Sequence, residues 1–507
     1  MRKAAFIALI LILTACGGRK TASKAAGTLP ESFSFQADAT VDEDLQTGRF
    51  RLHLHSRVPA EVYYELQDRN GTVLTDGACR VQDKASTVTD RIPSVRLWNA
   101  EDPQLYTLLL EVDGQRALFP VTFCRIMPYK RDTVWVNGRK VPLKRVSLQE
   151  SRREALRQEL QALRQANANT IALGKETPSR SLRYLCDSLG LYISLPQDTL
   201  PGENPQSFAV RHAFQEIGIE AEDLEEGLLS IHNRRQFTPL KDYSFQWRIE
   251  RDGQRIKNGK WQLETPPGAS ETVRIGLPAL KEPGEYRLLV EAVSQEAGTA
   301  TADFLLGTID PEKEYEPRGT LALTEGDTRL VIKGGRTEMV FDRGEGSVKS
   351  LQVNGETILT DLQPVFDQPC KTQCTWSVQE QAVVLQMNYL LPGAVFQTLF
   401  TLSGDGVLKA EGEMPTWRFR MQEGGIRYFG RGPDLSPAAP FKSARKADEN
   451  ETGLYTDTSW LQAGRVTVIG EGPFAFSHRT PEVTVRPGKR IVLVPGTKPS
   501  EALRYRY

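Results

Sequence analysis

The segment from residue 135 to residue 196 constrains the fold more than any other part of the chain. It contains three short apolar runs, separated by two stretches of helical periodicity: 143–146, 170–173 and 191–195. Strand-length apolar runs that alternate with helix-length stretches are typical of βαβ units with parallel strands. The segment therefore predicts strand, helix, strand, helix, strand, which is how a (β/α) barrel begins.

The two predicted helices are indicated by different signals. The first carries three leucines at i, i+4 and i+7: Leu156, Leu160 and Leu163. That spacing places them on one face and predicts a helix over 153–166. The second helix is predicted over 179–189, with Thr177-Pro178 as N-cap and first-turn proline. Gly190 follows as its C-terminal stop.

The N-terminus has the layout of a secretory signal. Arg2-Lys3 precede an apolar run over residues 4–13, which is too short to span a membrane. The run leads into Leu13-Thr14-Ala15-Cys16, which resembles a bacterial lipobox whose cysteine is lipidated. A chance cysteine in an ordinary signal peptide is the alternative. We expect a signal peptide over 1–15, lipid on Cys16 and a tether over 16–31, with a membrane-anchored product, sorted to the outer membrane of a Gram-negative cell.

Composition excludes some classes of partner. The 507 residues include 64 basic and 64 acidic side chains, so the net charge is zero. A nucleic-acid-binding protein usually carries a basic stripe, and we expect no nucleic-acid partner. The length predicts several domains.

The cysteines form no recognisable scaffold. Besides Cys16 the chain has five, and an exported protein is permitted disulfides. Cys79 and Cys124 fall in one predicted sandwich, where they either pair or remain core thiols. Cys370 and Cys374 resemble half a metal site, but no histidine or second cysteine pair lies nearby, so we expect no metal and no cofactor.

Residues 32–127 show short alternating strands, at 50–55, 62–66 and 105–112, separated by turn signals. This pattern predicts an immunoglobulin-like sandwich. His53 and His55 lie on the same side of one strand. Two histidines without a third ligand are typical of a strand surface rather than of a metal site.

Several motifs carry a resemblance to a known family. They are distributed along the chain: Leu97-Trp98-Asn99-Ala100-Glu101-Asp102-Pro103-Gln104-Leu105-Tyr106, Asn137-Gly138-Arg139, Ala168-Asn169, Leu185 to Tyr192 and Tyr428-Phe429-Gly430-Arg431-Gly432-Pro433. The chain thereby resembles beta-galactosidases of glycoside hydrolase family 2. The resemblance implies a mainly β, multidomain fold in which an immunoglobulin-like sandwich (32–127) precedes a truncated (β/α) barrel remnant (128–200). A second immunoglobulin-like sandwich (206–308) and a galactose-mutarotase-like supersandwich (317–507) follow, and the family's N-terminal sugar-binding jelly roll is missing.

The truncated barrel removes most of the family's site. An eight-stranded barrel needs about 250 residues, and this chain supplies three strands before the next domain. The family's Asn-Arg-His-Glu-His run matches residues 147–151, where the glutamate, Glu150, is the one residue kept. The family's turn that contains a histidine aligns with residues 174–177, and its run of metal ligands aligns with residues 195–199. This chain keeps neither the histidine nor the metal ligands. The resemblance thus implies that both family catalytic glutamates are missing.

Glu150 and Glu176 are the two carboxylates that could replace them. Both follow predicted strands, at the end where barrel sites form. Neither matches a family catalytic position, and charged residues in such loops are more typical of solvated helix starts. We therefore predict no catalytic residue.

Arg431 is the remaining site candidate. Within the Tyr-Phe-Gly-Arg-Gly-Pro motif it either pairs with backbone or a carboxylate, or contacts a sugar. The loop at residues 368–371 differs from the family loop that reaches the active site, which indicates an altered site.

Three functional hypotheses follow. The first is a membrane-anchored, non-catalytic relative of beta-galactosidase in carbohydrate binding or glycan-utilisation assembly. The second is a beta-galactosidase-like glycoside hydrolase of altered mechanism. The third is an interaction module whose truncated barrel edge docks a partner protein, because open sheet edges favour pairing.

Overall fold

The fold was analysed in a computed structural model. It describes residues 28–82, 85–130, 132–148, 155–173, 178–194, 212–295, 297–309, 315–433, 442–447 and 453–496. Contacts divide the chain into two compact units. The first runs to Trp98 and includes Gln104–Ile126, and the second comprises Asn99–Pro103 and the chain from Met127 onward. The structure confirms the predicted mainly β, multidomain fold class.

The first unit is a sandwich of two antiparallel sheets, with strand orders β1-β2-β5 and β4-β3-β6-β7. Its strands are β1 (Phe33–Val41), β2 (Gly48–Ser56), β3 (Ala60–Gln67), β4 (Val73–Val81), β5 (Ala85–Ile92), β6 (Tyr106–Val112) and β7 (Gln115–Val121). Period-two alternation builds the core. In β2, Phe50, Leu52 and Leu54 are buried while His53 and His55 point outward. Cys79 is a reduced thiol, so it does not pair with Cys124.

The second unit begins with a small antiparallel sheet of order β10-β9-β8, formed by β8 (Ile126–Lys130), β9 (Thr133–Val136) and β10 (Arg139–Pro142). A parallel sheet of order β11-β12-β13 follows. Its elements are β11 (Arg145–Ser147), α1 (Leu156–Gln165), β12 (Thr170–Ala172), α2 (Arg180–Leu189) and β13 (Tyr192–Ser194). Leu156, Leu160 and Leu163 of α1 are buried in its core, as their spacing predicts.

The start of α2 differs from the prediction. Its N-cap is Ser179, whose hydroxyl oxygen accepts a hydrogen bond from the backbone N–H of Leu182 at 3.1 Å. The prediction that Thr177 is the cap is therefore wrong; the cap lies two residues later, because the hydroxyl of Ser179 satisfies a free N–H in the first turn of the helix. Gly190 ends the helix as predicted, at φ 71°, and an added Cβ would lie 2.2 Å from the carbonyl oxygen of Ala100.

The next part of the second unit is a second two-sheet sandwich, with orders β14-β15-β18 and β17-β16-β19-β20. Its strands are β14 (Ile217–Asp223), β15 (Leu228–Asn233), β16 (Ser244–Arg251), β17 (Gln254–Trp261), β18 (Ser270–Arg274), β19 (Gly284–Ser294) and β20 (Gly298–Ile309). A 3₁₀ turn, Leu240–Asp242, precedes β16. Inward residues such as Ile231, Phe245 and Leu288 are fully buried.

The C-terminal part is one antiparallel sheet, to which the described residues contribute 16 strands. They are β21 (Ala322–Glu325), β22 (Arg329–Gly334), β23 (Thr337–Asp342), β24 (Ser347–Val353), β25 (Glu356–Val365), β26 (Lys371–Val378), β27 (Ala382–Leu391), β28 (Ala394–Ser403), β29 (Leu408–Gly412), β30 (Thr416–Met421), β31 (Ile426–Arg431), β32 (Ser443–Lys446), β33 (Tyr455–Ala463), β34 (Val466–Arg479), β35 (Glu482–Arg486) and β36 (Arg490–Pro495). The sheet wraps around a core rich in aromatic side chains, including Tyr389, Phe400 and Trp417. Trp417 lies edge-on to both of the others, a favourable aromatic geometry.

Helix is scarce throughout. In the part of the chain that the structure describes, no helix is both long and apolar enough to cross a lipid bilayer.

Candidate functional site

The structure describes only some of the candidate residues that the sequence predicts. Cys16, Glu150 and Glu176 lie outside the described residues, and so do most positions that match the family's barrel motifs. Of those that are described, Ser147 is exposed at the end of β11 and Leu148 is buried in the core beneath the sheet.

Arg431 lies at the end of β31 between two carboxylates. Its Nη2 donates to Oδ1 of Asp303 at 2.6 Å, and its Nε donates to Oδ2 of Asp457 at 3.1 Å. Asp303 also accepts from Arg287 at 2.9 Å. Burial alone would raise the pKa of Asp303, but Arg431 and Arg287 outweigh burial and hold that pKa below its usual value. Arg431 thus connects the second sandwich to the C-terminal sheet, and its contact with a sugar stays a prediction.

The same charge network continues through Glu285. Its Oε1 lies 2.9 Å from Nζ of Lys442, and its Oε2 accepts from the hydroxyl of Ser459 at 2.7 Å. Burial opposes ionisation of Glu285, but Lys442 and its hydrogen-bond donors prevail and lower its pKa. With Arg287 included, three cations (Arg287, Arg431 and Lys442) pair with three carboxylates (Glu285, Asp303 and Asp457), so the network is a balanced set of ion pairs, which is a structural use of charge.

A cleft of about 340 Å³ lies in the second unit, at the amino ends of β11, β12 and β13. Most of its lining comes from the segment 99–103, the turn leading from β10 to β11, the residues before β14 and the loop after β15, and Asp132, Thr133, Asn169 and Tyr192 complete it. Side chains from these parts are brought together although more than a hundred residues separate the first from the last.

Glu216 is the buried anion of this cleft. Its Oε1 accepts a hydrogen bond from Arg164 at 3.1 Å, and its Oε2 lies 3.6 Å from Nε of Arg235 and 3.4 Å from the hydroxyl of Tyr243. Burial alone would raise the pKa of Glu216, but Arg164, Lys144 and Arg235 outweigh burial and lower it. Glu216 is therefore ionised in the folded protein.

Glu101 supplies a second carboxylate and is saturated with donors. It accepts from the backbone N–H groups of Gln236, Phe237 and Thr238 at 2.6, 2.8 and 3.0 Å, and from the Thr238 hydroxyl at 3.0 Å. Arg235 lies 3.8 Å away. The carboxylate thus holds the segment 99–103 against the loop after β15, and no lone pair of Oε2 is left for a ligand.

Lys144 is a cation of the cleft that lies beside Glu216. Its backbone N–H donates to Oδ1 of Asn169 at 2.7 Å, which fixes the turn before β11. Its Nζ lies 3.9 Å from Oε1 of Glu216, beyond hydrogen-bond distance. Burial lowers the pKa of the Lys144 ammonium, although Glu216 opposes that effect.

Glu216 does not have the raised pKa that a general acid needs. A general acid for glycoside hydrolysis needs a pKa raised towards the working pH, whereas the cations around Glu216 hold its pKa down. Among the described residues, no group of three or more His, Cys, Asp or Glu side chains could hold a metal ion.

Two family models match the chain. Residues 33–118 match glycosyl hydrolases family 2, and residues 229–304 match beta-galactosidase, domain 4. The chain is 24% identical over 182 residues to the beta-galactosidase of Halalkalibacterium halodurans, and 25% identical over 199 residues to the beta-galactosidase large subunit of Lactobacillus helveticus. Two parts of the chain are thus similar to glycosyl hydrolases family 2 and to beta-galactosidases.

The similarity covers part of each relative. The alignments span 32% of this chain and 18% of the Halalkalibacterium halodurans protein, and 33% of this chain and 32% of the Lactobacillus helveticus protein. The chain thus spans less than a third of the curated relatives it matches.

Solved beta-glucuronidases align over a similar share of this chain. A beta-glucuronidase from Bifidobacterium dentium superposes with a TM-score of 0.28 at 16% identity, covering 32% of this chain and 30% of that one. A beta-glucuronidase from Ruminococcus gnavus gives a TM-score of 0.27 at 14% identity, covering 32% and 28%.

Three members of the cleft were not predicted from the sequence. Glu216, Arg235 and Lys144 lie in different elements, and no local pattern indicates that they meet. Glu101 stands inside the family 2 signature over residues 97–106, which could have indicated a structural role for its carboxylate.

Proposed function

We propose that this beta-galactosidase-like protein is a membrane-anchored lipoprotein that binds carbohydrate without hydrolysing it, as part of a glycan-utilisation assembly. The proposal joins a family relationship to two local features, the barrel remnant and the N-terminal Cys16.

One observation carries the proposal. The parallel sheet ends at Ser194, and β14 of the next sandwich begins at Ile217. Eight βα units take about 250 residues, or about 30 each, so the residues between these two strands cannot hold the five units that a closed barrel still needs. Because a retaining site places two carboxylates about 5 to 5.5 Å apart on a rigid barrel, this spacing supports the part of the proposal that excludes hydrolysis by the family mechanism.

Membrane attachment is the second part of the proposal. The apolar run over residues 4–13 and Cys16 supply one lipidation signal, and residues 16–31 supply a polar tether. Lipid chains would hold the protein at a membrane surface without a spanning segment. A surface position suits a protein that captures glycans.

The truncated sheet also offers a place for a partner protein. Among the described residues, β11 and β13 each pair on one side, with β12. Parallel sheets are usually covered and closed, and open edges accept a further strand. A partner of the assembly would dock at this edge.

Glycan-array binding by the lipid-free protein from residue 28 onward tests the proposal. We expect selective binding to a subset of glycans, with wild-type signal retained when Glu150 or Glu176 is changed to Gln. An array without any selective signal would contradict the carbohydrate-binding function.

A further inference from the structure

The separation between Lys144 and Glu216 is the unusual feature of the cleft. The 3.9 Å from Nζ to Oε1 is too long for a hydrogen bond, which requires about 2.7–3.2 Å. An oxygen placed about 2.8 Å from both atoms would bridge them. A hydroxyl fits that position because it accepts from an ammonium and donates to a carboxylate at the same time.

Neighbouring polar groups are already satisfied by the protein. Glu101 accepts four hydrogen bonds, and Asn169 donates to the carbonyl of Pro142 at 2.8 Å while its Oδ1 accepts from Lys144 and Thr170. Among the described residues, Glu216 is the one group within ion-pair distance of the Lys144 ammonium. A ligand would therefore contact Lys144 and Glu216, and the half-exposed Arg234 at the cleft wall is a further possible donor.

Charge balance selects the kind of ligand. Three cations line the cleft, Lys144, Arg234 and Arg235, and so do three carboxylates, Glu101, Asp132 and Glu216. An anionic or cationic ligand would leave one charge uncompensated in a partly desolvated site, which is costly. A neutral ligand with hydroxyl groups would not.

The walls suit the apolar face of such a ligand. Tyr192, Phe214, Val141 and Pro142 line the cleft beside the charged pair. A volume of about 340 Å³ is at the small end of the range for small-molecule sites, roughly 300–1,000 Å³. The space matches one or two sugar rings rather than a long glycan chain.

We propose that this cleft binds a neutral sugar, with one ring hydroxyl bridging Lys144 and Glu216. The inference rests on the proposed carbohydrate-binding function and assigns it a site. The cleft lies at the amino ends of the parallel strands, whereas barrel enzymes bind substrate at the carboxyl ends.

Titration calorimetry with galactose and lactose, using the protein from residue 28 onward, tests the assignment. Lys144→Met should weaken binding about tenfold or more, because a hydrogen bond to a charged group is lost. Lys260→Met is the matched control, since Lys260 is exposed on β17 outside the cleft, and it should bind as the wild type does. Ala213 is exposed at the cleft wall, so Ala213→Trp should also weaken binding because the indole fills the cleft. It does so without changing Lys144 or Glu216.

The outcomes separate this inference from the proposed function. Sugar binding that is unchanged in both Lys144→Met and Ala213→Trp would overturn the site assignment while leaving the carbohydrate function intact. If neither sugar binds but other glycans bind on the array, independently of Lys144, the assignment is again wrong. Binding of inorganic phosphate that depends on Lys144 would overturn the choice of a neutral ligand.

Discussion

Arg164 donates a hydrogen bond to Glu216 at 3.1 Å, and both side chains are 6% exposed. The pair joins α1 to the residue immediately before β14, so it fixes the barrel remnant against the second sandwich. Removing one partner of a buried ion pair costs more than the pair contributes, because an uncompensated charge stays buried.

Glu216→Gln should therefore destabilise the protein by about 3–5 kcal/mol. The variant leaves Arg164, Arg235 and Lys144 with one carboxylate fewer. Urea unfolding measures the loss. Glu226→Gln is the control, because the ion pair of Glu226 with Arg274 is exposed and should contribute less than about 1 kcal/mol. Equal effects of the two substitutions would contradict the account of the cleft.

Acid should weaken the network around Arg431. The pKa of Asp303 is lower in the folded protein than its unfolded value, so its contribution to stability is present above about pH 4 and is lost as the pH falls further. Asp303→Asn should be less stable than wild type at pH 7 and should lose less stability between pH 5 and pH 3. Denaturant unfolding across that range measures both effects.

The control for Asp303 is an aspartate without such partners. Asp367 is exposed in the loop before β26, and Asp367→Asn should follow the wild-type pH profile. If Asp303→Asn shows the same pH dependence as wild type, the ion pairs with Arg431 and Arg287 do not contribute as described.

Asp187 on α2 should affect stability in the opposite direction from Asp303, by weakening the fold as the pH rises. Burial raises its pKa to about 6, and Arg183 offsets burial only in part. Because the pKa of Asp187 is higher in the folded protein than in the unfolded chain, its contribution to stability is fully present below about pH 4. That contribution is lost as the pH rises through about 6. Asp187→Asn should therefore be more stable than wild type at pH 7.5, by about 1–3 kcal/mol, and equal to it at pH 4. Thermal unfolding at the two pH values checks the sign, and a destabilised variant at pH 7.5 would contradict it.

Membrane attachment is predicted to depend on Cys16. Cys16→Ser removes the thiol that carries the lipid, so the protein should move from the membrane fraction to the soluble fraction and lose incorporation of labelled fatty acid. Cys79→Ser, which changes a sandwich thiol, should keep the wild-type distribution. Unchanged partitioning of Cys16→Ser would rule out the lipid anchor.

Local periodicity was sufficient to predict much of the fold. The alternation of apolar runs gave β11, β12 and β13, and the leucine spacing gave α1, because each signal is confined to a few neighbouring residues. The N-cap of α2 was misplaced by two residues, since Thr177 and Ser179 are both good caps and only the backbone path selects between them.

The cleft could not be predicted in this way. Lys144 precedes β11, Glu216 precedes β14 and Arg235 follows β15, and their meeting depends on how the barrel remnant packs against the second sandwich. Charged residues at such spacings look like surface residues in the sequence. Their burial is a property of tertiary packing, which no pattern of period 2 or 3.6 encodes.

Hydrolysis of a chromogenic beta-galactoside tests the central proposal, that this beta-galactosidase-like protein does not hydrolyse beta-galactosides. The purified protein from residue 28 onward should release no chromophore above the enzyme-free background, with or without Mg²⁺, because three parallel strands do not provide two carboxylates in rigid opposition. Glu150→Gln and Glu176→Gln should give the same background rate. A measurable wild-type rate that falls to background in either variant would contradict the claim and establish the protein as a glycoside hydrolase.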